Sequence, residues 1–292
     1  MEAALRREAF ERQASLAELL RGPVDTSDPG YRDPALIRRV APILERIGTQ
    51  YFRAEAEGLE HLPRRGPFLM VGNHNGGPIM PDAWVMLGIW TRVMGADRPA
   101  YAMVHDAALA VPVLRNAMVK LGALRATPAN AELVLARGAA VIVYPGGELD
   151  CLRSFARRHR VDLHGRTGFI RIALRAGVPV VPFVNAGGHE VYVTLHSSRR
   201  LARWSGLEWL TRVKTVPLNV GLPWGFWMTG FLPYVPLPAK FEYKFGAPIR
   251  FPRDPAAAED EGVVREGYER VTGVMQGMLD ELAERRRWPV VG

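Results

Sequence analysis

Between residues 34 and 52 the apolar positions Leu36, Val40, Ile43, Leu44, Ile47 and Tyr51 recur at helical spacing, with Arg38, Arg39, Glu45 and Arg46 elsewhere on the surface. This predicts an amphipathic, partly basic helix, suited to packing on a core or to docking on a membrane. Further along, the runs PFLMVGN, AWVMLGIW, AYAMV, VPVLRNAMVKLG, AELVLARG, AVIVYPGG, GFIRIALRAG and VPVVPFV succeed one another. Short β-like runs alternating with amphipathic helical stretches indicate an α/β fold, with a largely parallel central sheet flanked by helices. In open sheets of this kind reactive groups gather on loops at the carboxyl ends of strands. Both glycine-rich loops, NHNGG and YPGGE, are expected there.

The flanks read differently. Residues 1 to 22 form a mixed-charge helical pattern that stops at Arg21-Gly22-Pro23, and a polar, turn-rich stretch follows. The mixed charges leave no apolar run for a signal peptide or a first membrane helix. The expected organisation is a helical leader over residues 1–33, a main α/β domain over 34–254 and a C-terminal helix over 255–292, with N-terminal amphipathic helices ahead of the sheet. The run Arg285-Arg286-Arg287-Trp288 reads as a solvated helix end.

Residues 216 to 239 carry no charge and lie between Lys214 and Lys240, but five prolines and three glycines forbid a regular helix there. Irregular backbone cannot face lipid tails, so this is not a membrane span. Its aromatic residues Trp224, Phe226, Trp227, Phe231 and Tyr234 suit either a water-lipid interface or a buried cover over an acyl tunnel.

With 48% hydrophobic and 23% charged residues the chain suits a packed core rather than disorder. The net charge of +8 favours phosphate-rich partners, whether nucleic acid, anionic headgroups or a phosphorylated cofactor. The single cysteine, Cys151, excludes an internal disulfide and a cysteine-based zinc cluster, and points to a reducing environment. His105 and His189 have no second metal ligand at a recognisable spacing. The stretch holding His159 and His164 is basic but lacks interleaved aromatic platforms, so no nucleic acid is expected. The glycine pairs do not fit nucleotide-binding spacings.

The sharpest chemical signal is Asn73-His74 just after PFLMV, with Asp82 eight positions beyond His74. An imidazole titrates near neutral pH and can accept a hydroxyl proton, while a carboxylate on its other nitrogen fixes the tautomer. Companion motifs follow in order: Leu121-Gly122-Ala123-Leu124-Arg125, Val143-Tyr144-Pro145-Gly146-Gly147-Glu148, and Val178-Pro179-Val180-Val181-Pro182.

In this order of motifs, over about residues 53 to 252, the chain resembles the glycerolipid acyltransferase superfamily, which includes the PlsC-type enzymes. The resemblance implies a catalytic His and Asp, here His74 and Asp82, an acceptor-binding Arg125, a proline-glycine loop at Pro145 and a closing strand at Pro179. Two departures stand out. Seven residues separate His74 from Asp82 where the usual pattern has four, which requires a bulge over Asn75-Gly76-Gly77-Pro78. Gly146 stands where the pattern has Glu, and with Gly165-Arg166 and Gly168-Phe169 the style is closer to the diacylglycerol-acyltransferase-like branch.

The resemblance implies transfer of a fatty acyl group from an acyl thioester of coenzyme A or acyl carrier protein to a hydroxyl of a glycerolipid or lysophospholipid. His74 is expected as general base and Asp82 as its orienting acid. Arg125 would hold an acceptor phosphate with its guanidinium fork. The N–H groups of Gly146 and Gly147 would stabilise the oxyanion. Glu148 would orient Arg125 or the acceptor, and Arg166 would meet coenzyme A phosphates. No cofactor or metal is required, and Cys151 is not expected to act as nucleophile. The expected partners are the thioester, the lipid acceptor and a membrane surface with anionic headgroups, at the cytoplasmic face of the cell membrane. Rival readings are acylation of a sugar or glycolipid headgroup, and a non-catalytic lipid-binding protein in which His74 and Asp82 stay apart.

Overall fold

The computed structural model describes residues 22–292 apart from 207, 208, 210–213, 229–231, 233 and 253. The expected leader helix lies outside the described residues. Helix α1 (Pro34–Arg46) starts at Asp33, whose carboxylate accepts the Ala35 and Leu36 N–H groups, and runs into a wider turn over Ile47–Tyr51. Its Leu36, Ile37 and Ala41 are buried, whereas Ile43, Ile47 and Tyr51 stay exposed.

Six strands then alternate with helices: β1 (Glu55–Glu57), β2 (Phe68–Gly72), α2 (Pro81–Met94), β3 (Ala100–Val104), α3 (Pro112–Lys120), β4 (Ala123–Arg125), α4 (Pro128–Ala136), β5 (Ala140–Val143), α5 (Gly147–Cys151), α6 (Gly168–Ala176) and β6 (Val180–Ala186). A short helix α7 (Gly188–Val191) leads to a separate three-stranded antiparallel sheet of β7 (Val193–Ser198), β8 (Val216–Gly221) and β9 (Gly225–Trp227), with α8 (Arg199–Trp204) between β7 and β8. The chain returns as β10 (Glu242–Phe245) and closes with α9 (Glu261–Arg285).

The main sheet has seven strands in the order β1-β10-β6-β2-β5-β3-β4. Five are mutually parallel, while β10 runs against β6 and β1 follows β10. Alternation along β2 builds two cores. Leu69 and Val71 face Ile170, Leu174, Val271 and Leu279 from α6 and α9, and Phe68 and Met70 face Val85 and Trp90 from α2. Burying each such side chain contributes about 1.5–3 kcal/mol, which fixes β2 on both faces. The loop of Asn73 and His74 therefore leaves a strand that cannot shift register.

Two expectations about the C-terminal third need correction. The run at Arg285 is not merely solvated: Arg286 is buried, with Nη2 2.6 Å from Glu190 Oε2 and Nη1 2.5 Å from Glu242 Oε2. Only a carboxylate pair makes such burial tolerable. The uncharged segment is neither wholly interfacial nor wholly core, since it folds as the β8–β9 hairpin with Trp227 and Tyr234 buried but Leu222, Phe226 and Val235 exposed. Among the described residues no helix is long and apolar enough to cross a membrane.

Candidate active site

β2 delivers Asn73 and His74 at its carboxyl end, beside the neighbouring strand β5 and its Tyr144 to Gly147 loop. Gly76 and Gly77 take φ angles of 91° and 70°, and the turn Gly77–Ile79 follows. A Cβ on Gly77 would stand 2.5 Å from the Tyr192 ring, so the bulge needs glycine on steric as well as conformational grounds. The bulge absorbs the extra residues and brings Asp82, in the first turn of α2, back to His74. Nδ1 of His74 lies 2.7 Å from Asp82 Oδ2. The Asn75 N–H donates to the same oxygen at 3.0 Å, and the Tyr243 hydroxyl donates to the Asp82 carbonyl at 2.8 Å.

The loop is held from three further sides. Asn73 exchanges hydrogen bonds with the Asn185 backbone on β6, accepting at 2.8 Å and donating at 3.0 Å, and Asn75 Nδ2 donates to the Asn185 carbonyl at 2.9 Å. The His74 N–H donates to Asp150 Oδ2 at 2.7 Å. Asp150 is itself paired with Arg153 at 2.8 Å, and both are buried. The Tyr144 ring stands 4.8 Å from the His74 ring, centre to centre.

Charge in this pocket is strongly shaped by burial. Burial opposes a charged His74, but the Asp82 carboxylate and the Cys151 sulfur together outweigh it, and the imidazole pKa is raised well above its ordinary value. Burial pushes Asp150 up to about 6 against the pull of Arg153. Burial also pushes the Cys151 thiol up, with His74 opposing, and its Sγ–H donates to the Gly77 carbonyl at 3.0 Å. Burial drives His189 well below its ordinary value, so it stays neutral beside this cluster.

The remaining sequence candidates are placed differently from expectation. Arg125 ends β4 at the far edge of the sheet, three strands from β2, roughly 14 Å away at ordinary strand spacing. Its fork is engaged with Asp106, Nε to Oδ1 at 2.8 Å and Nη2 to Oδ2 at 2.9 Å. Glu148 meets Arg166 Nη2 at 3.2 and 3.4 Å rather than Arg125. Arg166 Nη1 donates to the Pro145 and Gly146 carbonyls at 3.0 and 3.3 Å, so its guanidinium braces the loop. The Gly147 N–H is taken by the Tyr144 carbonyl at 3.0 Å, which closes a turn and removes it as an oxyanion donor in this conformation. Gly146 is buried against Asp150, whose Cβ would lie 2.4 Å from a Cβ at Gly146.

Asp150, Asn185 and Tyr243 were not singled out by sequence. For Asp150 a signal existed: Asp150 and Arg153 stand three apart, the spacing of a helical ion pair. For Asn185 and Tyr243 no local signal exists, because β6 and β10 reach the site only through the sheet order.

A family model described as diacylglycerol acyltransferase matches residues 39–265. The chain belongs to the diacylglycerol acyltransferase family. It is an O-acyltransferase of the diacylglycerol acyltransferase type. An uncharacterised protein of Mycobacterium tuberculosis (strain ATCC 25618 / H37Rv) is 31% identical over 278 residues, covering 93% of this acyltransferase and 73% of that protein. Diacylglycerol O-acyltransferase 2 of Homo sapiens is 33% identical over 85 residues, 28% of this chain and 22% of that one. Phytyl ester synthase 1, chloroplastic, of Arabidopsis thaliana is 25% identical over 262 residues, covering 82% of this acyltransferase and 36% of the synthase. The crystal structure of the 1-acyl-sn-glycerophosphate (LPA) acyltransferase PlsC from Thermotoga maritima superposes with a TM-score of 0.51 at 20% identity, covering 87% of this chain and 84% of that one. That likeness shows the shared fold, a largely parallel sheet flanked by helices.

Proposed function

We propose that this acyltransferase moves a fatty acyl group from an acyl thioester, of coenzyme A or of acyl carrier protein, to the hydroxyl of a lipid acceptor at a membrane surface, with His74 as general base. The observation that carries the reading is the 2.7 Å contact between His74 Nδ1 and Asp82 Oδ2 in a buried loop. With Nδ1 committed to Asp82, Nε2 is the nitrogen left for substrate. It takes the hydroxyl proton as the acceptor oxygen attacks the thioester carbonyl carbon. The carbon–sulfur bond then breaks, and the proton passes from Nε2 to the departing thiolate. Asp82 holds the ring and stabilises the imidazolium.

The acceptor is one without a phosphate, such as a diacylglycerol or a long-chain alcohol. Arg125, the guanidinium expected for a phosphate, is already bound through its fork to Asp106. The test is release of free thiol from a long-chain acyl thioester, offered diacylglycerol, a long-chain alcohol or lysophosphatidic acid in matched mixed micelles. Ester should form with the uncharged acceptors, unaffected by Arg125→Ala. A strict requirement for lysophosphatidic acid, abolished by Arg125→Ala, would contradict this choice of acceptor.

A further inference from the structure

Two exposed apolar elements far apart in sequence meet on one side of the molecule. At the end of α1, Ile43 and Ile47 stand one helical turn apart and are 59% and 43% exposed. With Arg46, Gln50 and Tyr51 they line an open groove. The Tyr51 hydroxyl donates to the Pro236 carbonyl at 2.5 Å, across 185 positions of sequence. Beside Pro236, Val235 forms an antiparallel bridge with Leu222 at the turn of the β8–β9 hairpin. Val235 and Leu222 are 50% and 58% exposed, and Phe226 on β9 is 71% exposed. Among the described residues nothing covers this apolar stripe, an arrangement a solvated surface does not favour.

The inner side of the same stretch belongs to the candidate site. The Tyr234 hydroxyl donates to the Gly76 carbonyl, and the Leu237 N–H donates to Val191 at 3.1 Å. Tyr234 and Trp227 pack on Tyr192, with ring centres 4.5 and 5.9 Å away. The chain that carries Val235 outward therefore lies over the loop of His74 on its inward side.

We propose that this face is the surface by which the protein rests on an anionic bilayer, the hairpin and the end of α1 entering the interface together. This assignment rests on the acyl-transfer reading for its occupant. A protein seated here would cover the approach to His74, whereas a bilayer brings lipid acceptor and acyl chain to that approach. Charge agrees: Arg39 and Arg46 are exposed beside the stripe, and the chain carries a net +8, both complementary to anionic headgroups. The element is amphipathic without a spanning helix, as interfacial binding requires.

The test uses the full chain with extruded vesicles of phosphatidylcholine alone or mixed with phosphatidylglycerol, and measures the partition coefficient by co-sedimentation. The wild type should bind the mixed vesicles more tightly, and added salt should weaken that binding. The double variants Leu222→Ser/Phe226→Ser and Ile43→Ser/Ile47→Ser should each lower partitioning at least tenfold while melting as the wild type does. Val274→Ser on α9, 39% exposed and on the helix that covers the opposite face of the sheet, should change nothing. A wild type that ignores both vesicle types, or variants that bind as the wild type does, would overturn the assignment. Turnover of a short-chain, water-soluble thioester and acceptor is followed in parallel. Turnover without vesicle binding would sink the docking surface alone, and vesicle binding without any turnover would sink the acyl-transfer reading while leaving the surface standing.

Discussion

The carboxylate of Asp150 accepts the backbone N–H of His74 at 2.7 Å while holding Arg153 at 2.8 Å on its other oxygen. One buried acid thus ties the loop after β5 to the loop after β2. Asp150→Ala leaves the Arg153 charge buried without its partner and should cost about 3–5 kcal/mol of stability, read from urea unfolding. A loss below about 1 kcal/mol would show that the pair does not hold the loops together.

Asn75 packs so closely on α7 that a Cβ at Gly188 would fall 1.7 Å from its Oδ1. Gly188→Ala should therefore displace Asn75, whose N–H shares Asp82 Oδ2 with His74. A misplacement of about 1 Å is enough to cost roughly 100-fold in turnover. The measurement is kcat beside the far-ultraviolet spectrum; unchanged kcat would show that the Asn75 contact is not needed for alignment.

The sheet, its parallel core and the glycine loops were legible because apolar period and turn chemistry are local properties. His74 and Asp82 were paired through the family resemblance and the base chemistry of an imidazole beside a carboxylate, and the glycines between them made the required bulge feasible. Burial was not legible: Arg286 and Arg287 read alike in the sequence, yet Arg286 alone lies in the Glu190 and Glu242 pocket. Nor was pairing across the sheet. Arg125 and Glu148 each looked available until Asp106 and Arg166 were seen to occupy them. The reversed strands β10 and β1 were missed because order within a sheet leaves no trace in any one segment.

Direct transfer leaves Cys151 outside the chemistry. Burial raises its pKa against the pull of His74, which it contacts, and its Sγ–H donates to the Gly77 carbonyl. Cys151→Ser should retain at least about half of the activity, and donor alone should add no acyl mass to the intact protein. An acyl adduct on Cys151 that is released by acceptor would overturn direct transfer.

The raised pKa of His74 sets the sign of the pH dependence. Burial lowers it, and Asp82 together with Cys151 raises it further, so the folded imidazole holds its proton past the ordinary value of 6.5. Only the deprotonated ring is a base, so kcat/KM should rise with pH through a limb above about 6.5. The paired imidazolium also contributes stability that is full below about 6.5 and lost as pH rises through the raised value. In Asp82→Asn the limb should move to lower pH while the rate falls. A wild-type limb at or below about 6.5 would mean that Asp82 does not govern the ring.

The most direct test of His74 as the base is a single-turnover assay of ester formation from a long-chain acyl thioester, comparing the wild type with His74→Ala at equal donor and acceptor occupancy. Loss of the base should slow the chemical step by about 100-fold to 10,000-fold, with the melting temperature and donor binding retained. A His74→Ala protein that forms ester at close to the wild-type rate would contradict the role assigned to His74.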